Sequence, residues 1–411
     1  MKIPELGIIA LTPAAWTGKE FHPGIALAAA RAGALGVLDL GYLDQPGEAE
    51  LAVELLAKER RGGVGIKCGV EQVASFQPLF ARLSKAESEE KIVIVAVRDK
   101  SFSKKTLSAA IASVQKQQLK AFCEVVNLEE ALLAASCGAD AIIASGHESG
   151  GRVGEETSFV ILQRCVRELK VPIWIRGGIG LNSAAAILAG GGAGVVLDSQ
   201  LLLLRESPLS AEQKERLSTF DGTETEEVKF EKEKHRIWVR PGTDAPRILS
   251  AEILAQGSEE PIESWRSSLR KELCAAHLSP GQLPSILTIG QAIAYAGRFA
   301  RRLLSVASLV QQMRISASSN LKMSIAQRAL DADAPLAKDQ LTRFPVLQGA
   351  MTRVSDVADF ALKVAADGGL PFLACALMRK EELQPLLEKT QRDLGAMSWG
   401  VGMLGFVPAE L

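Results

Sequence analysis

Aromatic side chains are scarce in this sequence: Phe, Trp and Tyr make up 5% of 411 residues, and only two of them are Tyr. Surfaces that stack sugars or nucleobases are built from such rings, so a carbohydrate-binding or base-stacking protein is disfavoured. Net charge is nearly lacking too. With 47 Lys and Arg against 48 Asp and Glu the formal charge is −1, which leaves no long-range field to draw the chain to nucleic acid or anionic lipid. The six cysteines, Cys68, Cys123, Cys137, Cys165, Cys274 and Cys375, form no C-x-x-C pair and no metal-ligand spacing. Buried free thiols in a reducing compartment are therefore expected, with neither a disulfide framework nor a metal site. No stretch nears the roughly 20 apolar residues of a membrane span. The short run Leu6–Leu11 follows Met1 and Lys2, begins just after Glu5 and is stopped by Pro13, so it reads as a first strand and not a signal peptide. These absences together predict a soluble, cytoplasmic protein with neither membrane nor nucleic acid among its partners.

What is present is ordinary globular material. A hydrophobic content of 47% and a charged content of 23% suffice for a sizeable core and exclude disorder as the main character. The 36 Gly and abundant Ala suit tightly packed helix-on-strand units, and the length suggests two or three domains at about 150 residues each. Continuous apolar runs predict strands at Leu6–Ala10, Leu35–Leu38, Val64–Lys67, Ile92–Val97, Ala121–Val125, Ala141–Ala144, Pro172–Arg176 and Ala193–Leu197. Between them lie helical patterns at Gly24–Ala32, Gly47–Glu59, Val70–Ser84, Lys105–Lys116, Leu128–Ser136, Phe159–Leu169 and Ser183–Ala189. Strands that are apolar throughout, without alternation, are covered on both faces as in a parallel sheet. Eight such units in residues 1–207 predict an α/β fold of the (β/α)8 barrel class at its small end. An open doubly wound sheet is the alternative, because periodicity does not reveal closure.

Beyond Leu204 the character changes. Residues 208–250 are rich in charge and read as an insertion or linker with a solvated face. Lys229–Val239 alternates enough for one exposed strand or hairpin arm, and no chemistry is assigned to it. Residues 251–340 read as a helical cap region: Ala251–Ala255, then Gly290–Ile315 as one long helix with Ala292, Ile293, Ala296, Phe299, Leu303 and Leu304 on its packed face, set against the barrel mouth. Residues 341–411 then restart the opening pattern. Phe344–Met351, Asp367–Leu373 and Trp399–Met403 repeat, in order, the features of Pro4–Ala10, Ala32–Leu38 and Gly62–Ile66. A second barrel of the same kind is expected to begin near Leu341 and to be truncated after about three strands. A partial barrel cannot close its sheet edges, so the 411 residues are expected to be an N-terminal piece of a larger multi-domain protein. A small βα appendage packing on the first barrel is the alternative.

In such a barrel, chemistry collects at the C-terminal ends of the strands. The sixth strand is followed by Gly146-His147-Glu148-Ser149-Gly150-Gly151-Arg152-Val153-Gly154, the seventh by Gly177-Gly178-Ile179-Gly180, and the eighth by Asp198-Ser199. A Gly-Gly-x-Gly turn between a strand and a helix lets backbone N–H groups approach a phosphate, although a tight turn without a ligand has the same pattern. The loop after strand six sets an imidazole, a carboxylate and a guanidinium among glycines, which suits a flat ligand. A purely structural loop in which His147 and Glu148 pair with Arg152 would look alike.

These segments resemble the nitronate monooxygenase / 2-nitropropane dioxygenase family of FMN-dependent barrels, which includes flavin enoyl reductases of fatty-acid synthesis. The motif Gly146–Gly154 with Gly177–Gly180 downstream carries the resemblance, and FPVLQGAMTRVS (Phe344–Ser355) is similar to the family's opening strand. The tandem arrangement, the segment ALGVLDLGY from Ala34 and VVLDSQLLLLRES from Val195 resemble N-terminal regions of large bacterial type I polyketide synthases. The resemblance implies FMN across the barrel mouth, held by Gly146, Gly150, Gly151, Gly177, Gly178, Gly180, Asp198 and Ser199. His147, Glu148 and Arg152 would be the catalytic groups and NAD(P)H the reductant. It also implies an acyl carrier protein and other synthase domains as partners, with the second barrel of the same chain beside them and a homodimer as a further candidate.

Three departures qualify the match. Arg152 stands where the family usually has a His, and a guanidinium stays protonated and cannot shuttle a proton at neutral pH. Asp198-Ser199 replaces the family's Gly-Thr, which sets a carboxylate beside a phosphate. The opening strand lacks the Gln and Met that recur as Gln348 and Met351. Two functions therefore stand side by side: a flavin oxidoreductase module of enoyl reductase or nitronate monooxygenase class acting on carrier-bound acyl chains, or a degenerate barrel that serves the synthase as a docking or structural platform.

Overall fold

The computed structural model describes residues 4–13, 21–43, 45–97, 103–230, 233–242, 282–376 and 378–403. The expected helix Ala251–Ala255 and Cys274 lie outside the described residues. The chain divides into two compact units, Met1–Leu321 and Lys322–Leu411.

The first unit is a closed barrel. Its strands are β1 (Gly7–Leu11), β2 (Leu35–Asp39), β3 (Gly63–Gly69), β4 (Glu90–Ala96), β5 (Lys120–Val125), β6 (Ala141–Ser145), β8 (Ile173–Arg176) and β9 (Gly194–Leu197), with β7 (Gly151–Val153) standing off the barrel. All barrel pairs are parallel, and closure comes from β1 against β9, with Gly7 opposite Gly194 and Ala10 opposite Leu197. The open-sheet alternative is thereby excluded. Each expected strand is found within two residues of its expected ends. The outer layer holds α1 (Gly24–Arg31), α2 (Glu50–Ala57), α3 (Gln77–Leu83), α4 (Lys104–Gln115), α5 (Leu128–Ser136), α6 (Ser158–Glu168) and α7 (Ser183–Ala189). The expected helices Gly47–Glu59 and Val70–Ser84 each open as a short 3-10 turn before α2 and α3.

Two separate apolar cores follow from strands buried on both faces. One lies between strands and helices, where Ala26, Ala29, Val53, Phe80 and Ile111 meet the outward residues of the strands. The other fills the lumen with Ile9, Leu11, Leu35, Val37, Ile92, Ile94, Phe122, Ile143, Trp174 and Val196. Glycine is required where a large neighbour fills its space. A Cβ on Gly7 or Gly194 would stand 2.5 Å from the Trp174 ring, and one on Gly36 would stand 1.9 Å from the Ala26 carbonyl oxygen of α1.

The charged insertion is not a bare solvated face. After α8 (Ala211–Leu217), β10 (Glu226–Phe230) and β11 (Glu233–Val239) form an antiparallel hairpin. Its second arm also pairs with β7, setting His235 opposite Arg152, and further along, at Trp238 and Val239, with β12 (Ile286–Leu287). The expected long helix Gly290–Ile315 is two helices, α9 (Ile293–Arg302) and α10 (Val306–Gln327). Leu304 turns left-handed between them at φ 64°, and the Ser305 hydroxyl accepts the Ser308 N–H at 3.2 Å to start the second. Only α9 sits at the barrel mouth, against residues 199–201. The apolar face of α10, including Val306, Leu309, Val310 and Met313, joins the core between strands and helices. Arg314 on α10 donates to the Gly33 carbonyl and pairs with Glu5, below the start of β1. The helix therefore runs along the barrel wall and does not cap it.

The second unit holds a three-stranded parallel sheet, β13 (Leu347–Gln348), β14 (Leu370–Ala374) and β15 (Gly400–Gly402), in that order. α11 (Pro335–Asp339) precedes it, and α12 (Ala358–Ala366) and α13 (Lys380–Leu394) connect its strands. Ala361, Leu373, Cys375 and Leu394 form its core with Leu387 and Trp399. Among the described residues no helix is long and apolar enough to cross a membrane. The described cysteines are free, and burial pushes the Cys123 thiol up to about 12 and Cys165 to about 11.

Overpacking of the strand–helix contact is directly testable. Gly36→Ala should destabilise the first unit by about 3 kcal/mol, because backbone meets backbone and no side chain can move aside. Gly47→Ala, with no atom within 4 Å of the added methyl, should change stability by less than about 0.5 kcal/mol. Equal urea midpoints for the two variants would contradict the close contact between β2 and α1.

Candidate functional site

Along a strand, side chains alternate between faces, so a residue two beyond a lumen residue also points inward. Counting upward from the lumen core, Val37 leads to Asp39, Gly65 to Lys67, Phe122 to Glu124, Ile143 to Ser145, Trp174 to Arg176 and Val196 to Asp198. The top layer of the barrel interior is therefore ionic. Lys67 Nζ lies 3.2 Å from Asp39 Oδ2 and 2.7 Å from Glu124 Oε2. Arg176 donates through Nη1 to Glu124 Oε1 at 2.7 Å, and through Nε and Nη2 to Asp198 Oδ2 at 2.9 and 2.7 Å. Charges alternate along Asp39, Lys67, Glu124, Arg176 and Asp198. Uncharged groups complete the layer: Ser145 Oγ donates to Glu124 at 3.1 Å, and the Gly41 N–H donates to Asp39 at 3.0 Å.

Asp39, Lys67, Glu124 and Arg176 are buried, and their proximity shifts two of them, Glu124 and Arg176. Burial alone would raise the Glu124 carboxyl, but Lys67 and Arg176 outweigh it and hold it far below the usual carboxylate range. Burial alone would lower Arg176, and Asp198, Glu124 and Asp39 reverse that, leaving it above its ordinary value.

The site residues expected from sequence fall into two groups around this layer. Arg152 is clamped. Its guanidinium donates to both Glu130 oxygens at 3.0 and 2.7 Å and to the Val97 carbonyl at 2.9 Å. This bidentate grip ties β7 to the start of α5 and turns the guanidinium away from a proton-transfer role. Glu148 accepts the Ser158 N–H at 3.2 Å and the Ser158 hydroxyl. Its Cγ lies 3.2 Å from the Cβ positions of both Gly177 and Gly178, which have φ of 109° and 62°. His147 faces the hairpin. Its Nε2 is 3.1 Å from Glu227 Oε1 and 3.2 Å from Arg236 Nη2, and Arg236 Nε donates to the His147 carbonyl at 2.9 Å.

The glycine turn is closely covered. The Gly180 N–H donates to Ser183 Oγ at 2.8 Å, and the Tyr295 ring stands 3.3 Å from the Gly180 Cβ position. Asp198 Oδ1 takes the Ser199 N–H, and Ser199 Oγ accepts the Gly290 N–H at 3.0 Å. A Cβ on Gly150 would meet the Thr288 carbonyl oxygen at 2.4 Å, and one on Gly146 the Ser158 nitrogen at 2.3 Å. Gly151, with φ 79°, turns the chain into β7. Sequence reading missed Asp39, Lys67, Glu124 and Arg176, for which strand parity was an available signal. It also missed Glu227 and Arg236, for which the charged insertion offered none.

A family model described as nitronate monooxygenase matches residues 63–240. FabK from Thermotoga maritima has a TM-score of 0.60 at 20% identity, covering 79% of this chain and 95% of that chain. Over residues 63–240, less than half of the chain, the barrel resembles nitronate monooxygenases. The enoyl reductase domain of MlnA, from the macrolactin biosynthesis cluster of Bacillus amyloliquefaciens, has a TM-score of 0.53 at 16% identity over 78% of this chain and 95% of that one. At these identities the two structures speak for the fold alone. A curated relative from Rhodococcus jostii, (3aS,4S,5R,7aS)-5-hydroxy-7a-methyl-1-oxo-octahydro-1H-indene-4-carboxyl-CoA dehydrogenase, is 28% identical over 202 residues, 47% of this chain and 53% of the relative. The chain thus spans about half the length of the curated relative it matches.

Nitronate monooxygenase-like barrels are typically flavin-dependent, so the mouth must be tested against FMN. Among the described residues, two of its anion-binding positions already face carboxylates of the chain itself. A phosphate at the glycine turn would meet the Glu148 carboxylate beside Gly177 and Gly178, and Asp198 already holds the Ser199 N–H. Among the described residues the cavity lined by Lys67, Glu124, Gly150, Gly151, Arg152 and Arg176 measures about 50 Å³. That is room for roughly four waters.

Glu124 is the residue on which this arrangement can be tested. Glu124→Gln leaves Lys67 and Arg176 short of a buried partner and should cost about 3–5 kcal/mol near neutral pH. The depressed carboxyl stabilises the fold fully above its ordinary value of 4.5, and that contribution drains away as pH falls below it toward the folded-state value. The stability gap between the native chain and Glu124→Gln should therefore narrow in urea titrations run at progressively lower pH. A gap that stays constant down to about pH 3 would contradict the ion-paired state.

Proposed function

We propose that this barrel is a non-catalytic member of its fold family, serving as a structural or docking platform in a polyketide- or fatty-acid-synthase-type enzyme. The observation that carries this reading is the layer Asp39–Lys67–Glu124–Arg176–Asp198, which fills the lumen end where the relatives' chemistry would require a cofactor. The synthase setting is supported by the likeness to the enoyl reductase domain of MlnA. It is also supported by the second unit, in which β14 and β15 pair at the same 28-residue offset as β2 and β3, Phe372 with Gly400 and Leu35 with Gly63. In this reading residues 341–411, within the second unit, are the opening of a second barrel of the same type, and carrier-bound acyl chains are handled elsewhere in the synthase.

A second reading is favoured by the Gly177–Gly180 turn with its left-handed glycines. In it the barrel is an FMN-dependent oxidoreductase of enoyl reductase or nitronate monooxygenase class, reduced by NAD(P)H. The visible absorbance spectrum of the purified chain, with and without added FMN, separates the two. A colourless protein that retains no FMN through gel filtration is expected. A copurifying flavin spectrum that bleaches with NAD(P)H would overturn the platform reading and establish the oxidoreductase.

A further inference from the structure

The Asp198 carboxylate occupies a position with the chemistry of an oxyanion seat. Two N–H groups of one guanidinium, Arg176 Nε and Nη2, converge on Oδ2 at 2.9 and 2.7 Å, while Oδ1 takes the Ser199 N–H. The seat is rigidly framed. Gln200 accepts the Asp198 N–H at 2.9 Å through Oε1 and donates through Nε2 to the Ile179 carbonyl at 2.8 Å, tying the segment to the glycine turn. Arg176 is itself buried and fixed on its other side by Glu124. Donors arranged this way around a planar or tetrahedral oxyanion are the recognition chemistry of phosphates and carboxylates.

We propose that Asp198 is an internal occupant of an oxyanion seat built by Arg176 and the Ser199 N–H, and that it excludes the phosphate or carboxylate of an outside ligand. The charge balance of the layer is consistent with this. Two cations and three carboxylates sum to −1, and without Asp198 the sum is zero, so an incoming singly charged anion restores the alternation. The proposal rests on the reading that the native mouth is closed.

The test is the thermal unfolding of the full chain carrying Asp198→Ala or Asp198→Ser, with inorganic phosphate and with FMN as separate probes. Phosphate well above its dissociation constant should raise the melting temperature of both variants by about 3–5 °C and leave the native chain unmoved. The double variant Asp198→Ala/Arg176→Ala should lose the response. A response to FMN larger than that to phosphate would mark a phosphomonoester as the better ligand, and an equal one a seat that reads the anion alone. Single variants that respond no more than the native chain, or that stay unfolded with and without phosphate, would overturn the proposal. A native chain that itself responds to FMN would instead sink the closed-mouth reading, so the two failures are distinguishable.

Discussion

Among the described residues Glu124 pairs with both Lys67 and Arg176, the two cations of the buried layer. From β5 it reaches Lys67 on β3 and Arg176 on β8, and each of these carries a further carboxylate from β2 or from the end of β9. Removing charges from water is costly, and a buried ion pair is often no more stabilising than apolar residues of the same volume. The alternation of sign makes the arrangement tolerable here, because Glu124 lies between two cations and each cation between two carboxylates. Its consequence is specificity of shape. Among the described residues the lumen ends in a layer of mutually paired charges.

The surrounding segments follow from that constraint. Arg152 cannot leave Glu130 without stranding a buried carboxylate, so the loop after β6 is pulled into a strand, β7, and offered to the hairpin. The hairpin then supplies Arg236 and Glu227 to His147. Residues that carry catalysis in a flavin site would need access to a ligand. Here the same residue types hold one another.

The fold was legible because buried parallel strands are apolar throughout, and the eight barrel strands announce themselves as runs such as IIAL, VIVA and AIIA. The break between α9 and α10 was less visible, since apolar spacing continues across Leu303 and Leu304. Only Ser305 as a helix start distinguishes two helices from one. The site was legible in its glycines but not in its charges. Asp39, Lys67, Glu124 and Arg176 stand at or near strand ends, where a charge ordinarily signals emergence into solvent. Their inward direction depends on parity and on barrel closure, and closure is a long-range fact that periodicity does not carry. The hairpin was illegible for a different reason. A stretch dense in Glu and Lys reads as solvated until its partner strand, formed by a glycine-rich loop some 80 residues earlier, is known.

The charged groups of the mouth share one pattern. Several of the described donors at the C-terminal face receive a carboxylate from the chain itself: Ser158 N–H from Glu148, Ser199 N–H and Arg176 from Asp198, Val126 N–H and Arg152 from Glu130. A scaffold that binds an anionic cofactor leaves some of these donors to be satisfied by the ligand, and its folded state gains stability in proportion to ligand saturation. When a carboxylate is supplied internally, that dependence is removed for the donors it satisfies. The cost is the loss of the open donor set that chemistry at a barrel mouth requires. Where these groups are satisfied from within, an anionic ligand would have to displace a carboxylate of the chain before it could reach them.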